Sequence, residues 1–206
     1  MNPAIKPGFR DMLPLSREII DRFNTALHAA RTVGELEPTA MVLATSDGQG
    51  LITSRTVLLK ALDADGFVFF TNSTSNKGRQ LKANPRASAT FLWKANESQV
   101  QLAGRVQQVS DEEADAYFAT RDRGSQIGAW ASLQSQVLDA RETLEQRVRE
   151  FESKFEGMEV ERPDDWTGFR LQPEMVEFWQ GRRFRLHDRF RYLQENSQWV
   201  VRRLYP

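Results

Sequence analysis

The chain has 206 residues, 40% of them hydrophobic, with 28 Lys and Arg against 28 Asp and Glu and no cysteine. That length suits one domain with a proper core, and the balanced charge excludes a global field that would recruit nucleic acid or an anionic membrane. Without cysteine there are no disulfides, thiolate zinc sites or Cys nucleophiles; with no leader-like start and no apolar run near the ~20 residues that span a bilayer, the cytoplasm is the expected location.

Residues 1–14 are Pro-rich and read as an irregular N-terminal arm, leaving 15–206 as a single domain. Ser16 caps a helix reaching 31, with Ile19, Ile20, Phe23, Ala26, Leu27 and Ala30 on one face. Glu37-Pro38 stops helical propagation. Strands follow at 40–45 and 51–60 around the turn 47–50, and a second turn at 63–66 leads into the apolar strand 67–71. A short helix covers 76–83 and ends at Asn84-Pro85. The segments 87–93 and 99–109 form another hairpin. Ser110-Asp-Glu-Glu113 has the capping-box pattern of a helix over 110–120, and a longer helix spans 138–155. Strands at 166–171, 175–180, 190–194 and 199–204 complete the chain. Hairpin-linked strands with helices between them imply an α+β domain, an antiparallel barrel with helical cover.

Several chemistries drop out. Gly48-Gln49-Gly50 lacks a third glycine and sits in a hairpin turn, so it is no dinucleotide fingerprint, and there is no Walker loop. His28 and His187, the two histidines, are far apart in sequence, which disfavours a metal site; no metal ligand set is expected. Ser125 and Ser135 have no nearby His–Asp pairing for a hydrolytic triad.

Two stretches carry chemistry. In Arg55-Thr56-Val57-Leu58-Leu59-Lys60, strand alternation points Arg55, Val57 and Leu59 one way and Thr56, Leu58 and Lys60 the other. This offers cationic and hydroxyl donors beside a smooth apolar wall, although a plain strand with charged ends has the same spacing. The stretch 177–190 gathers four arginines, His187 and the aromatic pair Phe178-Trp179 around Gly181. Arginine suits phosphates and flat conjugated rings. A hairpin with a solvated basic edge accounts for the composition equally well.

Resemblance separates these alternatives. Trp179-Gln180-Gly181 with Arg185-Leu186-His187-Asp188-Arg189, the Arg55-x-Val57-Leu58-Leu59-Lys60 strand, and Ser125-Gln126-Ile127-Gly128-Ala129-Trp130-Ala131-Ser132 through Gln134-Ser135 resemble the pyridoxine/pyridoxamine 5′-phosphate oxidases. The likeness runs over about 37–206, with its motifs in the family's order. It implies an antiparallel FMN-binding split β-barrel with covering helices, assembled as a homodimer with FMN at the subunit interface. The implied reaction oxidises pyridoxine 5′-phosphate and pyridoxamine 5′-phosphate to pyridoxal 5′-phosphate, with O₂ reduced to hydrogen peroxide.

The resemblance also implies roles. Arg55, Thr56, Val57, Leu58 and Lys60 would line the FMN strand, with Phe70-Thr71 beside the flavin, Asn76 and Lys77 at its phosphate, and Gln99 hydrogen-bonded to the ring. Gln134, Ser135, Trp179 and Arg189 would meet FMN from the neighbouring subunit, and Arg189 is the candidate cation near the reduced flavin's N1. Lys60, Tyr117, Arg121 and Ser125 would bind the substrate phosphate. Arg185 and His187 would be catalytic, flanking the substrate ring together with Leu186. Departures are Asn76 where the family commonly has Arg, Ser98 for an Arg before the glutamine, Asp122 for a Pro after Arg121, and a short arm without Tyr. They bear on cofactor affinity, where Arg79 is a possible substitute cation, more than on reaction type. Three other readings stay open: a relative of the phenazine-biosynthesis oxidases, a non-catalytic flavin- or pyridoxal-phosphate-binding protein, and, remotely, an RNA-binding module.

Overall fold

The computed structural model describes residues 12–206, so most of the expected arm lies outside the described residues. Its last residues are tied down: Trp199 Nε1 donates to Pro14 O at 2.8 Å and Gln194 Nε2 to Leu13 O at 3.2 Å. Helix α1 (Arg17–Thr32) starts where Ser16 Oγ accepts the Ile19 N–H. It buries Ile19, Phe23, Leu27 and Ala30 at the spacing of one helical face. Phe23 is the centre of the main core, edge-on to Phe67 and Phe91 at 5.0 Å each and tilted against Trp93 at 6.0 Å. Edge-to-face contacts of this kind add to what the buried area itself contributes.

The strands are β1 (Ala40–Ser46), β2 (Ile52–Leu58), β3 (Ala61–Asp63), β4 (Gly66–Asn72), β5 (Arg86–Trp93), β6 (Ser98–Gln108), β7 (Trp166–Gln180), β8 (Asp188–Glu195) and β9 (Gln198–Leu204). They form one antiparallel sheet in the order β2-β1-β5-β6-β7-β4-β3, with β8 added to β7 and β9 to β8. The sheet curls into a half-barrel, as the α+β reading expects. Strand β7 is its axis, pairing with β6 along its length, with β4 over its first half and with β8 over its second.

Strand β7 is continuous through Pro173, where two separate strands, 166–171 and 175–180, were expected. The proline is accommodated where the β6–β7 register shifts between Ala103 and Gly104. Gly104 is required there, since a Cβ would fall 2.0 Å from Gln172 O. Strand β3 was not expected, and β2 stops at Leu58, leaving Lys60 in the connection to it.

The remaining helices are α2 (Asn76–Ala83), α3 (Asp111–Ala119), α4 (Arg123–Ala131) and α5 (Arg141–Lys154). Helix α2 has the bounds read from the sequence, and Ser110 caps α3 as expected. Helix α4 was missed; Asp122 caps it. A second core joins α3, α4 and α5 to the start of β7 through Phe118, Ile127, Phe155, Val160 and Trp166.

Candidate active site

Three groups of side chains hold the residues singled out above. The first lies under the N-terminus of α2. Ser75 caps that helix by accepting the Gly78 N–H, and Lys77 in its first turn is only 8% exposed. Lys77 Nζ donates to Gln134 Oε1 at 2.7 Å, Thr71 Oγ1 at 3.0 Å and Ser75 Oγ at 3.4 Å. On β2, the Arg55 guanidinium donates to Thr45 Oγ1 at 2.5 Å and to Thr53 Oγ1, and both threonines donate to Gln80 Oε1 of α2.

All these partners are neutral oxygens. Among the described residues neither Lys77 nor Arg55 has an ion-paired carboxylate. Burial, and then the charge of Arg55, pulls Lys77 down to about 8 from its ordinary 10.5. Burial lowers Arg55 as well. Lys77 in the first turn of α2 and Arg55, whose charge acts on it from beside Gln80 of the same helix, are two desolvated cations that an anion would relieve.

Gln134 joins this group within its own chain, where its Oε1 accepts from Lys77 Nζ and from Thr71 Oγ1. It is delivered by the loop after α4, where the next residue, Ser135, takes a left-handed φ of 73°. Asn76 is exposed and accepts a hydrogen bond from Arg79, which also donates to Thr74 O across the first turn of α2. Thr56 is exposed, whereas Val57 and Leu58 are half-buried. Thr45, Thr53 and Gln80 were not singled out in the sequence, because the three sit on separate elements without a shared spacing.

The second group surrounds Arg121. Phe70 stacks on Tyr117 at 4.1 Å and on Trp166 at 5.1 Å, and the Arg121 guanidinium lies 4.8 Å over the Trp166 ring. Arg121 Nη1 is buried without a hydrogen-bond partner among the described residues. Burial lowers its pKa, against the opposing charges of Tyr117 and Asp122. Ser125 donates its hydroxyl to Asp122 at 2.7 Å. Lys60 is exposed and its backbone N–H donates to Val68 O on β4, but among the described residues no hydrogen bond, ion pair or ring contact joins its side chain to Arg121, Tyr117 or Ser125. Phe70 and Thr71 are successive on β4 and so face opposite sides, which connects the second group to the first.

The third group is on the C-terminal hairpin. Gln99 of β6 lies opposite Trp179 of β7, and both line a cavity of about 350 Å³ walled by Arg22, Trp93, Phe178 and Phe190. His187 packs against Trp179 at 4.6 Å. Its Nδ1 accepts the Arg182 N–H at 3.1 Å, which leaves the ring proton of a neutral His187 on Nε2. Arg185 follows Phe184 in a short turn where both residues have positive φ, 62° and 59°. Phe184 and Leu186 are exposed, at 90% and 67%.

Arg189 is not a free cation. Its Nε donates to Glu177 Oε1 at 2.7 Å, and Arg191 donates to Glu177 Oε2 at 2.8 Å. Glu177 is 1% exposed; burial opposes its ionisation, but the hydrogen bonds and charges of the two arginines prevail and hold it below the usual carboxylate range. The sequence reading gave Glu177 no role. Its signal was present, as a single carboxylate in the run 175–179 with arginines at alternate positions on the next strand. No hydrogen bond, ion pair or ring contact joins this third group to Lys77 or Arg121 among the described residues.

Fold and site define an antiparallel split-barrel protein with two cationic groups that are not ion-paired and a separate aromatic–arginine hairpin. Its residues 28–155 match the family model described as pyridoxamine 5′-phosphate oxidase, and 166–206 match the pyridoxine 5′-phosphate oxidase C-terminal dimerisation region. The chain belongs to the pyridoxine/pyridoxamine 5′-phosphate oxidase family. A pyridoxine/pyridoxamine 5′-phosphate oxidase of Myxococcus xanthus is 50% identical over 187 residues, covering 91% of each chain. One of Xylella fastidiosa is 49% identical over 202 residues, covering 96% of this chain and 97% of its own. Among solved structures, PhzG from Burkholderia lata 383, in complex with tetrahydrophenazine-1-carboxylic acid, superposes with a TM-score of 0.85 at 30% identity, covering 99% of this chain and 98% of its own.

Proposed function

We propose that the protein is a pyridoxine/pyridoxamine 5′-phosphate oxidase. It binds FMN, oxidises pyridoxine 5′-phosphate and pyridoxamine 5′-phosphate to pyridoxal 5′-phosphate, water replacing the amine nitrogen of the latter, which leaves as ammonia, and passes the electrons to O₂ to give hydrogen peroxide. The observation that carries this reading is the pair of cationic groups, Lys77 with Arg55 and Arg121 with its unpartnered Nη1. Two phosphates, one on the cofactor and one on the substrate, account for both. Bound FMN supplies a two-electron acceptor.

In this reading Lys77, Arg55 and the N-terminus of α2 hold the cofactor phosphate, while Thr56, Val57 and Leu58 border the ring. Lys60, Tyr117, Arg121 and Ser125 hold the substrate phosphate, which fixes the position of the substrate ring. Arg185 and His187, on the same hairpin as Trp179, flank that ring from a second copy; the Nε2–H of His187, fixed by the Arg182 backbone, is the group that meets the substrate's alcohol or amine. The Gln99, Trp179 and Arg189 surface completes the flavin site of a second copy, so the active unit is a homodimer. The matched C-terminal dimerisation region supports that assembly, as does the lack of contact between the hairpin and the two cationic groups. The cytoplasmic location belongs to the same reading; no described helix is long and apolar enough to cross a membrane.

A phenazine-type substrate is the second reading, motivated by the solved relative bound to tetrahydrophenazine-1-carboxylic acid. A tricyclic acid offers Arg121 a single carboxylate charge in place of a phosphate dianion, and so leaves the further donors of Lys60, Tyr117 and Ser125 without the second charge and third oxygen that a phosphate ester brings. Oxygen consumption with pyridoxine 5′-phosphate, pyridoxine and a dihydrophenazine carboxylate separates the two. The proposal expects kcat/KM to be far higher for the phosphate ester. Equal values for pyridoxine and its phosphate, or a preference for the dihydrophenazine, would overturn it.

A further inference from the structure

At the start of α4, beside Arg121, stands a carboxylate that the reading above leaves unused. Asp122 is the N-cap, with extended backbone at φ −60° and ψ 150°. Its carboxylate accepts the Ser125 N–H at 2.8 Å and the Ser125 hydroxyl at 2.7 Å. Those bonds, the hydroxyl's first, favour the ionised form and hold Asp122 below the usual carboxylate range, so its charge is fixed at neutral pH. Arg121 senses that charge, yet among the described residues the two form no ion pair and Arg121 Nη1 keeps no partner.

The consequence for a phosphate is specific. A serine hydroxyl has one proton to donate. Here that proton is directed to Asp122, away from any incoming group, and the incoming dianion meets a fixed negative charge one residue from its guanidinium. We propose that Asp122 is a specificity-determining residue whose carboxylate competes with the substrate phosphate for the Ser125 hydroxyl and for the field of Arg121, and so sets how tightly phosphorylated vitamers bind. This rests on the reading that Lys60, Tyr117, Arg121 and Ser125 form the substrate-phosphate site. Asp122 acts through those residues and does not touch the reacting carbon.

Asp122→Asn tests it. Asparagine caps helices about as well as aspartate, so α4 keeps its start. The amide oxygen can still accept the Ser125 N–H, while the amide N–H₂ donates to Ser125 Oγ and turns the hydroxyl proton outward. KM for pyridoxine 5′-phosphate and the inhibition constant of inorganic phosphate should both fall, by about threefold to tenfold, with kcat and the KM for unphosphorylated pyridoxine unchanged. Asp122→Ser, a neutral residue that also caps, should move both constants in the same direction and guards against an effect peculiar to the amide. Unchanged or raised constants in both variants would overturn the proposal, as would an equal fall in KM for pyridoxine itself. Arg121→Ala, measured in parallel, isolates the underlying reading. If it raises both constants while the Asp122 variants do nothing, the site stands and the role of Asp122 fails; if it raises neither, the substrate-phosphate site fails.

Discussion

Lys77 shows how a single buried amine can be both a liability and an anchor. Its hydrogen bonds go to Gln134, Thr71 and Ser75, which satisfy its protons but do not neutralise its charge. Burial and Arg55 bring it to about 8, so in the empty protein it loses its proton well below the unfolded chain's 10.5. The unfolded chain therefore holds more protons between about 8 and 10.5, and this residue makes the apoprotein gain stability as pH rises through that window. Anion binding has the opposite dependence, because a phosphate favours the charged amine. The affinity of the apoprotein for FMN should be level between about pH 7, where the phosphate is a dianion, and 8, and weaken above that, approaching a tenfold loss per pH unit. Fluorescence titration of FMN across this range checks the point; an affinity independent of pH between 7 and 10 would mean that Lys77 does not hold the phosphate.

At the level of elements, α2 is the device that aims Lys77. It packs so closely on the preceding turn that a Cβ at Gly78 would meet Ser73 O at 2.2 Å and Ser73 C at 2.5 Å, both backbone atoms. Gly78→Ala should displace the helix and weaken FMN binding at least tenfold, a loss of about 1.4 kcal/mol, while the Phe23 core keeps the domain folded. Calorimetric binding beside a circular dichroism melt distinguishes this from simple unfolding; full FMN affinity in the variant would contradict it.

The same helix shows what a sequence carries. Its end was legible from Asn84-Pro85, α1 from its cap and apolar face, and α3 from its capping box, because each signal is local. Helix α4 was not read despite the Asp122 cap, since Gly124 and Gly128 weaken its propensity and its hold on the fold comes from the second core. The continuity of β7 through 172–174 was not legible, because the register shift that admits Pro173 depends on Gly104, far away in sequence. The candidate site residues themselves were named through family motifs. What periodicity could not supply was their partners, including Gln80 and Thr45 around Arg55, Glu177 between two arginines, and Gln134 within its own chain.

For the whole molecule, the question is how the C-terminal hairpin meets the cationic groups. It is built rigidly, with Glu177 clamped by Arg189 and Arg191 and α1 packed on its face through Arg22, whose guanidinium lies 4.5 Å over Phe190 and 4.7 Å over Phe178. Among the described residues it makes no hydrogen bond, ion pair or ring contact with Lys77 or Arg121, and the proposed reading assigns it to the site of a second copy. Sedimentation should give a dimer with one FMN per chain, and Trp179→Ala should weaken FMN binding without dissociating it. A monomer that binds FMN tightly would rule out the shared site.

Anaerobic mixing of the FMN-loaded protein with pyridoxine 5′-phosphate tests the proposed activity most directly. The flavin's visible absorbance should bleach as pyridoxal 5′-phosphate forms, and it should return when oxygen is admitted, with one hydrogen peroxide per cycle. Stoichiometric FMN that stays oxidised in the presence of both pyridoxine 5′-phosphate and pyridoxamine 5′-phosphate would contradict the assignment of this chain as their oxidase.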